Sequence, residues 1–299
     1  MNPEQEKQWS IVDLLKKTTG FFIEKQVDEP RLSAEMLLSH LLGQNRLWLY
    51  LNHSRMLSAG ELAAFRALCR QRLEGRPVQY ITGEQYFYGK PFFVDERVLI
   101  PRPETELLVE HASALLDARK GLHGDDACRV LDIGTGSGCI AVTLAALNGF
   151  SLFTAMDRSA PALEVARANA ETFDVLPRIT FLEADMFDVE LASRFDFPFD
   201  MIVSNPPYIP EEEWPGLQKE VKGFEPREAL VTPGGTASYL AICRIAIVAL
   251  KPCGVLCMEI HAEGAVKVRA IMESAGFTGI MVIKDYSGND RIISGRVAI

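Results

Sequence analysis

Beyond residue 128, short apolar runs alternate with helical patterns, and this alternation restricts the possible folds more than any other feature. Strands are predicted at residues 130–133, 151–156, 179–182, 199–204 and 254–260, with helices at 139–147, 161–173, 235–250 and 264–275. Strands that alternate with helices form a mostly parallel sheet. Two last strands, 279–283 and 291–299, are separated only by a short turn and should pair antiparallel. The sequence therefore predicts an α/β domain with a mostly parallel seven-stranded sheet and an antiparallel C-terminal hairpin.

The segment before this domain has a different pattern. Pro30 and Gly43 fit the start and end of one helix, and Ser58 with Glu61 forms a capping-box pattern before another. Aromatic and β-branched residues around two glycines then favour a β-hairpin. We expect a small helical domain at 1–77, a β-hairpin linker at 78–100 and the α/β domain at 101–299.

Length and charge narrow the functional classes. The 299 residues suit about two domains, and the net charge of −9 argues against a protein that holds nucleic acid through its phosphates. The N-terminal residues 1–9 are polar and lack a signal core, and the longest apolar helical stretch contains Arg244. We expect a cytoplasmic monomer that binds neither a membrane nor nucleic acid stably.

The cysteines and lone histidines do not suggest a metal site. The six cysteines lie at positions 69, 128, 139, 243, 253 and 257, without paired spacing. This pattern indicates neither a zinc site nor a disulfide framework, so the thiols are interpreted as reduced and mostly structural. His40 and His53 are interpreted as surface or packing residues.

A glycine-rich turn follows the first predicted strand. Residues 134–138 read Gly-Thr-Gly-Ser-Gly and lead into a helix, whose first N–H groups can meet a ligand. A dinucleotide fingerprint would require glycine where the chain has Cys139, so nicotinamide and flavin dinucleotides fit less well. Asp157 ends the second strand, where it can bind ribose hydroxyls or, as the alternative, act as a helix cap ahead of Ser159 and Pro161. Asp185 ends the third strand, where it can border an adenine. The implied ligand is adenosine with a small charged tail.

The fourth strand is followed by Asn205-Pro206-Pro207-Tyr208. The two prolines leave main chain that accepts hydrogen bonds without donating them, and Asn205 adds an amide oxygen. A planar amino group with two hydrogens matches these acceptors, and the Tyr208 ring can cover its flat face. For these four residues alone, a proline-rich turn is the favoured interpretation. Together with the glycine turn and Asp157, they favour a site for a glutamine amide or an exocyclic base amine.

The residues 134–138, Asp157 and 205–208 together resemble class I S-adenosylmethionine-dependent methyltransferases that modify amino groups. More specifically, the chain is similar to the release factor glutamine methyltransferases, PrmC or HemK. The supporting stretches lie at 76–83, 98–106, 130–141 and 225–230. The chain departs from the family pattern at Met186, where some relatives have an aromatic residue beside the cofactor, and at His261 with Gly264. The resemblance implies a Rossmann-like fold, S-adenosyl-L-methionine as cofactor and class I peptide chain release factors as partners.

The resemblance also implies a reaction and a set of site residues. The reaction is methylation of the glutamine side-chain amide in a Gly-Gly-Gln motif, with no covalent intermediate and no metal. The implied catalytic residues are Asn205, Pro206, Pro207 and Tyr208, of which Asn205 Oδ1 and the Pro206 carbonyl accept the two amide hydrogens. The implied cofactor-binding residues are Gly134, Thr135, Gly136, Ser137, Gly138, Asp157, Asp185, Met186 and Asn205. The helical domain is expected to dock the substrate.

Two segments near the site and two other functions stay open. Residues 101–104 resemble a family stretch near the methionine end of the cofactor, but the favoured interpretation of Arg102 is a helix cap and surface ion pair. Residues 210–227 are interpreted as either a mobile acidic flap or a solvated loop. A DNA adenine-N6 methyltransferase needs the same amino-group acceptors but also a basic face or recognition domain. A non-catalytic cofactor-binding module that docks a translation factor is the other alternative, and an intact Asn-Pro-Pro-Tyr stretch argues against it.

Overall fold

The structure is a computed structural model that describes residues 9–119 and 127–298. Residues 1–8 of the polar N-terminal stretch and the last residue of the strand predicted at 291–299 lie outside the described residues. One compact unit comprises the described residues up to Glu84 together with Gln218–Phe224. The other comprises Gln85–Leu217 and the described residues from Glu225 onward. The domain boundaries at residues 77 and 100 stay a prediction.

Capped helices build the first unit. They are α1 Ile11–Glu24, α2 Pro30–Leu42, α3 Arg46–Leu51, α4 Ala59–Leu73 and α5 Val78–Thr82. Gly43 ends α2 in the left-handed conformation. The predicted capping box precedes α4: Ser58 Oγ accepts from the Glu61 N–H, and the Glu61 carboxylate accepts from the Ser58 N–H. Sequence reasoning missed α1 and α3, whose side-chain caps, Ser10 and Asn45, do not stand out by spacing alone.

The predicted hairpin is shorter than expected. Its strands are β1 Glu84–Phe87 and β2 Lys90–Phe93, and the Tyr88-Gly89 turn between them has positive φ at both residues, as tight hairpin turns require. The strand-like interpretation is wrong for Val78–Thr82, which forms α5 and ends at the left-handed Gly83. Pro77 directly precedes this helix, where proline is tolerated because the backbone N–H that it lacks would have no partner within the helix.

A seven-stranded sheet forms the centre of the second unit. Its strands are β3 Cys128–Ile133, β4 Ser151–Asp157, β5 Ile179–Glu183, β6 Phe199–Ser204, β7 Leu250–Glu259, β8 Phe277–Lys284 and β9 Asp290–Val297. The spatial order is β5-β4-β3-β6-β7-β9-β8. The first five strands in this order pair in parallel, and β9 pairs antiparallel with both β7 and β8. The predicted mostly parallel sheet with an antiparallel C-terminal hairpin is confirmed.

Helices cover both faces of the sheet, which explains the continuous apolar strands. The helices of the second unit are α6 Thr105–Asp117, α7 Cys139–Leu147, α8 Ala160–Thr172, α10 Ala237–Ala249 and α11 Ala265–Ala275, and the short helix α9 Lys219–Phe224 lies between α8 and α10 along the chain. Alternate strand residues enter two cores: Val130 packs with side chains of α6 and α7, whereas Leu131 packs with those of α10 and α11. Of these helices, α9 belongs to the first unit.

The interpretation of the thiols and histidines agrees with their positions. Cys128, Cys139, Cys243 and Cys257 are buried free thiols. Burial raises the pKa of the Cys243 thiol to about 12, so this group stays a protonated packing residue. His40 and His53 are exposed. None of the described helices combines the length and the apolar character that a membrane crossing requires.

The segment 210–227 contains regular structure. Its first part is a helical turn, Glu211–Gly216, and its second part includes α9. Within the first unit, Glu220 of this segment pairs with the buried Arg72 at 2.6 Å. The segment therefore includes a defined packing contact, and its proposed movement as a flap stays a prediction.

Candidate active site

A cavity of about 410 Å³ lies within the second unit, at the carboxyl ends of β3 to β6. The sheet order reverses here, because β4 lies on one side of β3 and β6 on the other, and such crevices bind ligands in α/β sheets. The predicted site residues that line the cavity are Gly134, Gly136, Asp157, Asp185, Met186, Asn205 and Pro207. The structure thus brings together residues from four separate strand ends.

Some residues of the glycine turn line the cavity, whereas others support the packing behind it. Gly134 and Gly136 line the cavity, both with positive φ. Thr135 and Ser137 are buried and Gly138 lies away from the cavity wall, so these three predicted residues are not brought to the cavity surface. Gly138 serves packing instead: at φ +80°, a Cβ on it would lie 3.0 Å from the Cβ of Ala166 on α8.

Asp157 is the last residue of β4, and both of its carboxylate oxygens accept hydrogen bonds from backbone N–H groups. Oδ2 accepts from the Gly136 N–H at 2.9 Å, and Oδ1 accepts from the Ser159 N–H at 3.0 Å. Burial raises the pKa of this carboxyl above its ordinary value. Each oxygen has a further lone pair, so Asp157 can hold the glycine turn and still accept hydrogen bonds from two adjacent hydroxyls.

The β5 end supplies the adjoining wall. Asp185 accepts from the Phe187 N–H at 2.9 Å, and Arg158 lies 3.9 Å from its other oxygen. A Cβ on Gly134 would come 3.9 Å from Met186 Cε, so Met186 lies beside the glycine turn and lines the same cavity. An unbranched thioether adapts readily to a flat apolar partner. Adenine packing at Met186 and Asp185 stays a prediction.

Asn205 follows the fully buried strand β6 and lines the cavity. Its amide Nδ2 donates to Thr105 Oγ1 at 3.0 Å. Among the described residues, no protein group donates to Asn205 Oδ1. The amide is therefore anchored through its nitrogen, and its oxygen is available to a ligand.

The other members of the Asn-Pro-Pro-Tyr stretch occupy different surroundings. Pro207 lines the cavity, whereas Pro206 is buried and Tyr208 is partly buried, and neither of these two side chains is on the cavity wall. The Tyr208 hydroxyl donates to Glu259 Oε1 at 3.2 Å. Burial raises the pKa of Tyr208, so the phenol stays protonated and able to donate. The expectation that its ring covers a substrate amide stays a prediction.

Three polar residues near the site were missed by sequence reasoning. Thr105 Oγ1 donates a hydrogen bond to Glu259 at 2.6 Å. Asp132 accepts from Thr135 Oγ1 in the glycine turn at 2.7 Å and from the Ala141 N–H in α7 at 3.3 Å. Glu259 ends an apolar strand as Asp157 does, which is a signal that could have identified it. Asp132 lies within an apolar run, and Thr105 reads as part of a helix start.

Burial dominates the electrostatics of the two missed carboxyls. Asp132 is fully buried, and burial raises its pKa to about 7. Burial likewise raises the pKa of Glu259 to about 7. One oxygen of Asp132 has no hydrogen-bond partner among the described residues. Both groups therefore titrate near neutral pH, where enzyme sites commonly operate.

The segment before α6 forms the remaining wall. Arg97, Val98 and Leu99 line the cavity. Arg102 donates to Glu225 Oε1 at 2.6 Å, and the Ile100 N–H donates to Oε2 of the same carboxylate at 3.2 Å. Because Glu225 is buried, the interpretation of Arg102 as a surface ion pair is wrong: its partner is an interior carboxylate that fixes this wall.

The residues present fit an adenosine ligand with a charged tail. A volume of about 410 Å³ falls in the range of small-molecule pockets, which runs from about 300 to 1,000 Å³. Asp157 supplies acceptors for paired hydroxyls, Met186 and Ala184 supply apolar surface, and two glycines expose backbone. Pro207 and Asn205 lie at the β6 end of the same cavity.

Two family models match this chain, one in its N-terminal part and one in its central part. A family model described as the PrmC N-terminal domain matches residues 13–83, and one described as the methyltransferase small domain matches residues 105–217. The crystal structure of a methyltransferase from Pyrococcus furiosus is 16% identical, with a TM-score of 0.49 over 71% of this chain and 91% of that chain.

Relatives that match nearly the whole chain identify the family to which this chain belongs. The release factor glutamine methyltransferase of Chlorobaculum tepidum is 56% identical over 97% of this chain and 98% of the relative. The protein of the same description from Rhodopirellula baltica is 40% identical over 96% of both chains. Both matches extend over nearly the whole of this chain and of the relative. The chain belongs to the release factor glutamine methyltransferase family.

Proposed function

We propose that this protein transfers a methyl group from S-adenosyl-L-methionine to the side-chain amide nitrogen of the glutamine in the Gly-Gly-Gln motif of class I peptide chain release factors. Family membership and the Asn205 amide support this proposal: Nδ2 is anchored on Thr105, and Oδ1 has no protein donor among the described residues. When bound, the cofactor supplies an activated methyl group on a sulfonium. The work left to the protein is positioning and polarisation of a weak nucleophile.

Hydrogen-bond acceptors would increase the nucleophilicity of the amide. Its nitrogen lone pair is delocalised into the carbonyl, which makes it a poor nucleophile. Asn205 Oδ1 accepts one amide hydrogen and the Pro206 carbonyl accepts the other, which shifts electron density toward nitrogen and orients it. Pro206 and Pro207 lack N–H groups that would repel the amide hydrogens. The nitrogen becomes strongly acidic once it is methylated, so water can take the proton.

The rest of the protein has supporting roles in this proposal. Gly134, Gly136, Asp157, Asp185 and Met186 hold the cofactor in the cavity. The helical unit contributes docking surface for a substrate much larger than one side chain. The release factor is a transient partner of a monomer in the cytoplasm, and the net charge of −9 disfavours stable binding to nucleic acid.

Labelled S-adenosylmethionine offered with an unmethylated release factor, with adenine-containing DNA, and with neither separates the candidate functions. We expect label only in the release factor, at the glutamine of its Gly-Gly-Gln motif. Label in DNA would favour the adenine methyltransferase, and no transfer at all would favour the binding module.

The Asn205→Ala variant tests the role of the amide. Loss of one hydrogen-bond partner that acts on the reacting group should lower kcat by roughly 100-fold or more. Asn289→Ala, in the exposed turn between β8 and β9, is the matched control and should keep wild-type turnover. Wild-type turnover of Asn205→Ala would remove Asn205 from the catalytic residues.

A further inference from the structure

One buried carboxylate connects to two members of the Asn-Pro-Pro-Tyr stretch. Glu259 Oε2 accepts from Thr105 Oγ1 at 2.6 Å, and Thr105 Oγ1 accepts from Asn205 Nδ2 at 3.0 Å. Glu259 Oε1 accepts from the Tyr208 hydroxyl at 3.2 Å. Glu259 is 1% exposed and is not on the cavity wall. Its hydrogen-bonded path to a ligand in the cavity therefore runs through Thr105 and Asn205 or through Tyr208.

Parallel strand register places these groups together. Ser204 of β6 pairs with Met258 of β7, so the following residues, Asn205 and Glu259, leave adjacent strand ends. Thr105 is the first residue of α6 and is also buried. Its hydroxyl lies between the two side chains and has a single hydrogen to donate.

The single hydroxyl hydrogen determines which way the Asn205 amide faces. An ionised Glu259 can only accept, so Thr105 must donate its hydrogen to Glu259. Thr105 can then only accept from Asn205, which turns Nδ2 toward Thr105 and Oδ1 away from it. The nitrogen and oxygen of an amide have nearly the same shape, so packing alone does not select between the two orientations.

We propose that Glu259 is a positioning residue that orients the Asn205 amide through Thr105, so that Oδ1 faces the substrate amide. This inference rests on the proposed role of Asn205 as an acceptor. A neutral group at position 259 that donates to Thr105 would allow Thr105 to donate to Asn205 Oδ1. The amide would then turn its Nδ2 hydrogens toward the substrate amide, and two donors would meet.

The surroundings of Glu259 make its ionisation responsive to pH near neutrality. Burial raises its pKa to about 7, and Arg291 on β9 opposes this effect while Glu104, before α6, adds to it. Tyr208 donates to the carboxylate from the loop after β6, and Tyr239 of α10 donates to the Glu259 backbone carbonyl at 3.3 Å. Arg291 is itself paired with Asp285 at 3.2 Å, and the His261 N–H donates to the Tyr239 hydroxyl at 3.4 Å.

Variants of Thr105 and Glu259 separate orientation from simple structural support. Thr105→Val has nearly the same shape but no hydroxyl, whereas Thr105→Ser keeps the hydroxyl and is the rescue control. Glu259→Gln keeps the shape of the carboxylate but introduces a donor. The measurement is the single-turnover rate of methyl transfer to an unmethylated release factor, with enzyme in excess and the cofactor saturating, together with cofactor affinity and circular dichroism.

We expect Thr105→Val and Glu259→Gln to slow the single-turnover rate by roughly 10- to 100-fold, because a misoriented group near the reacting atoms costs this much. Thr105→Ser should transfer methyl at close to the wild-type rate. The double variant that combines Thr105→Val with Glu259→Gln should be about as slow as the slower of these two single variants. Both substitutions interrupt the same chain of hydrogen bonds, so their effects should not multiply. The wild-type rate should fall as pH drops below about 7, whereas Glu259→Gln should be slow without this inflection.

Several outcomes would overturn the inference. A wild-type rate for Thr105→Val, multiplicative effects in the double variant, or the same pH inflection in Glu259→Gln would each do so. Equal losses of cofactor affinity and rate would assign Glu259 to structural support. If Glu259→Gln does not fold, Thr105→Val still tests the same link without changing a charge. A wild-type rate for Asn205→Ala would remove the acceptor role on which the inference rests, whereas a release factor that stays unlabelled with the wild-type enzyme would contradict the proposed function, so the two failures are distinguishable.

Discussion

Asp157 shows how one side chain can shape a turn and serve a ligand. One carboxylate oxygen accepts a hydrogen bond from the Gly136 N–H in the glycine turn, and the other accepts one from the Ser159 N–H before α8. The sequence predicts the ligand role from the position at a strand end. The support given to the glycine turn depends on a contact across 21 residues, which the local pattern does not contain.

Replacement of Asp157 by alanine should weaken binding of S-adenosylmethionine by about 1 to 3 kcal/mol, the range for loss of hydrogen bonds to a charged group. Titration calorimetry measures this change directly. Glu183→Ala is a suitable control because Glu183 ends the neighbouring strand, is exposed and does not line the cavity. Equal affinity of Asp157→Ala and the wild-type protein would exclude Asp157 from the cofactor site.

At the scale of elements, the β3–α7 connection depends on close packing of α7 against α8. Gly138 adopts φ +80°, and a Cβ there would lie 3.0 Å from Ala166 Cβ and 3.1 Å from Ala166 Cα. Backbone atoms of a packed helix cannot move aside as a flexible side chain can. The last glycine of the turn is therefore required by helix packing, whereas Gly134 and Gly136 form the cavity wall.

Gly138→Ala should lower the free energy of unfolding by about 2 to 4 kcal/mol, through strain at positive φ and steric overlap together. Gly288→Ala, at φ +86° with nothing within 4 Å of its Cβ, carries the conformational strain without the overlap. Denaturant unfolding should show a clearly larger loss for Gly138→Ala. Similar losses in both variants would mean that Ala166 moves aside at no cost.

At the scale of the whole molecule, two fully buried carboxyls oppose folding at high pH. Burial raises the pKa of Asp132 and of Glu259 to about 7, from ordinary values near 4. Between about pH 4 and pH 7, the unfolded chain has already released these protons while the folded protein retains them. The unfolded state then binds fewer protons, so the free energy of unfolding falls as pH rises through this window.

The pH window gives a stability test with Glu259→Gln, whose side chain does not titrate. From pH 5.5 to pH 8, the wild type should lose about 2 kcal/mol relative to this variant, because about 1.5 pH units separate pH 5.5 from the folded-state pKa. Urea unfolding of both proteins at the two pH values measures the difference. A difference that is independent of pH would show that Glu259 ionises at an ordinary pKa in the folded protein.

Local patterns in the sequence determined much of this protein. Apolar runs identified all seven strands, glycines marked the turn after β3, and prolines with Asn205 marked the end of β6. These features follow from nearest-neighbour chemistry: a buried strand must be apolar, a positive φ favours glycine, and a proline cannot donate. The same features carry the family resemblance.

Only the tertiary structure decided how the site is supported. Thr105 lies 100 residues before Asn205 and 154 residues before Glu259, yet one chain of hydrogen bonds joins the three. The burial that places the Glu259 pKa near 7 exists only after β6, β7 and the start of α6 have packed together. Such contacts depend on strand order and helix placement, and short-range periodicity contains no information about residues so distant along the chain.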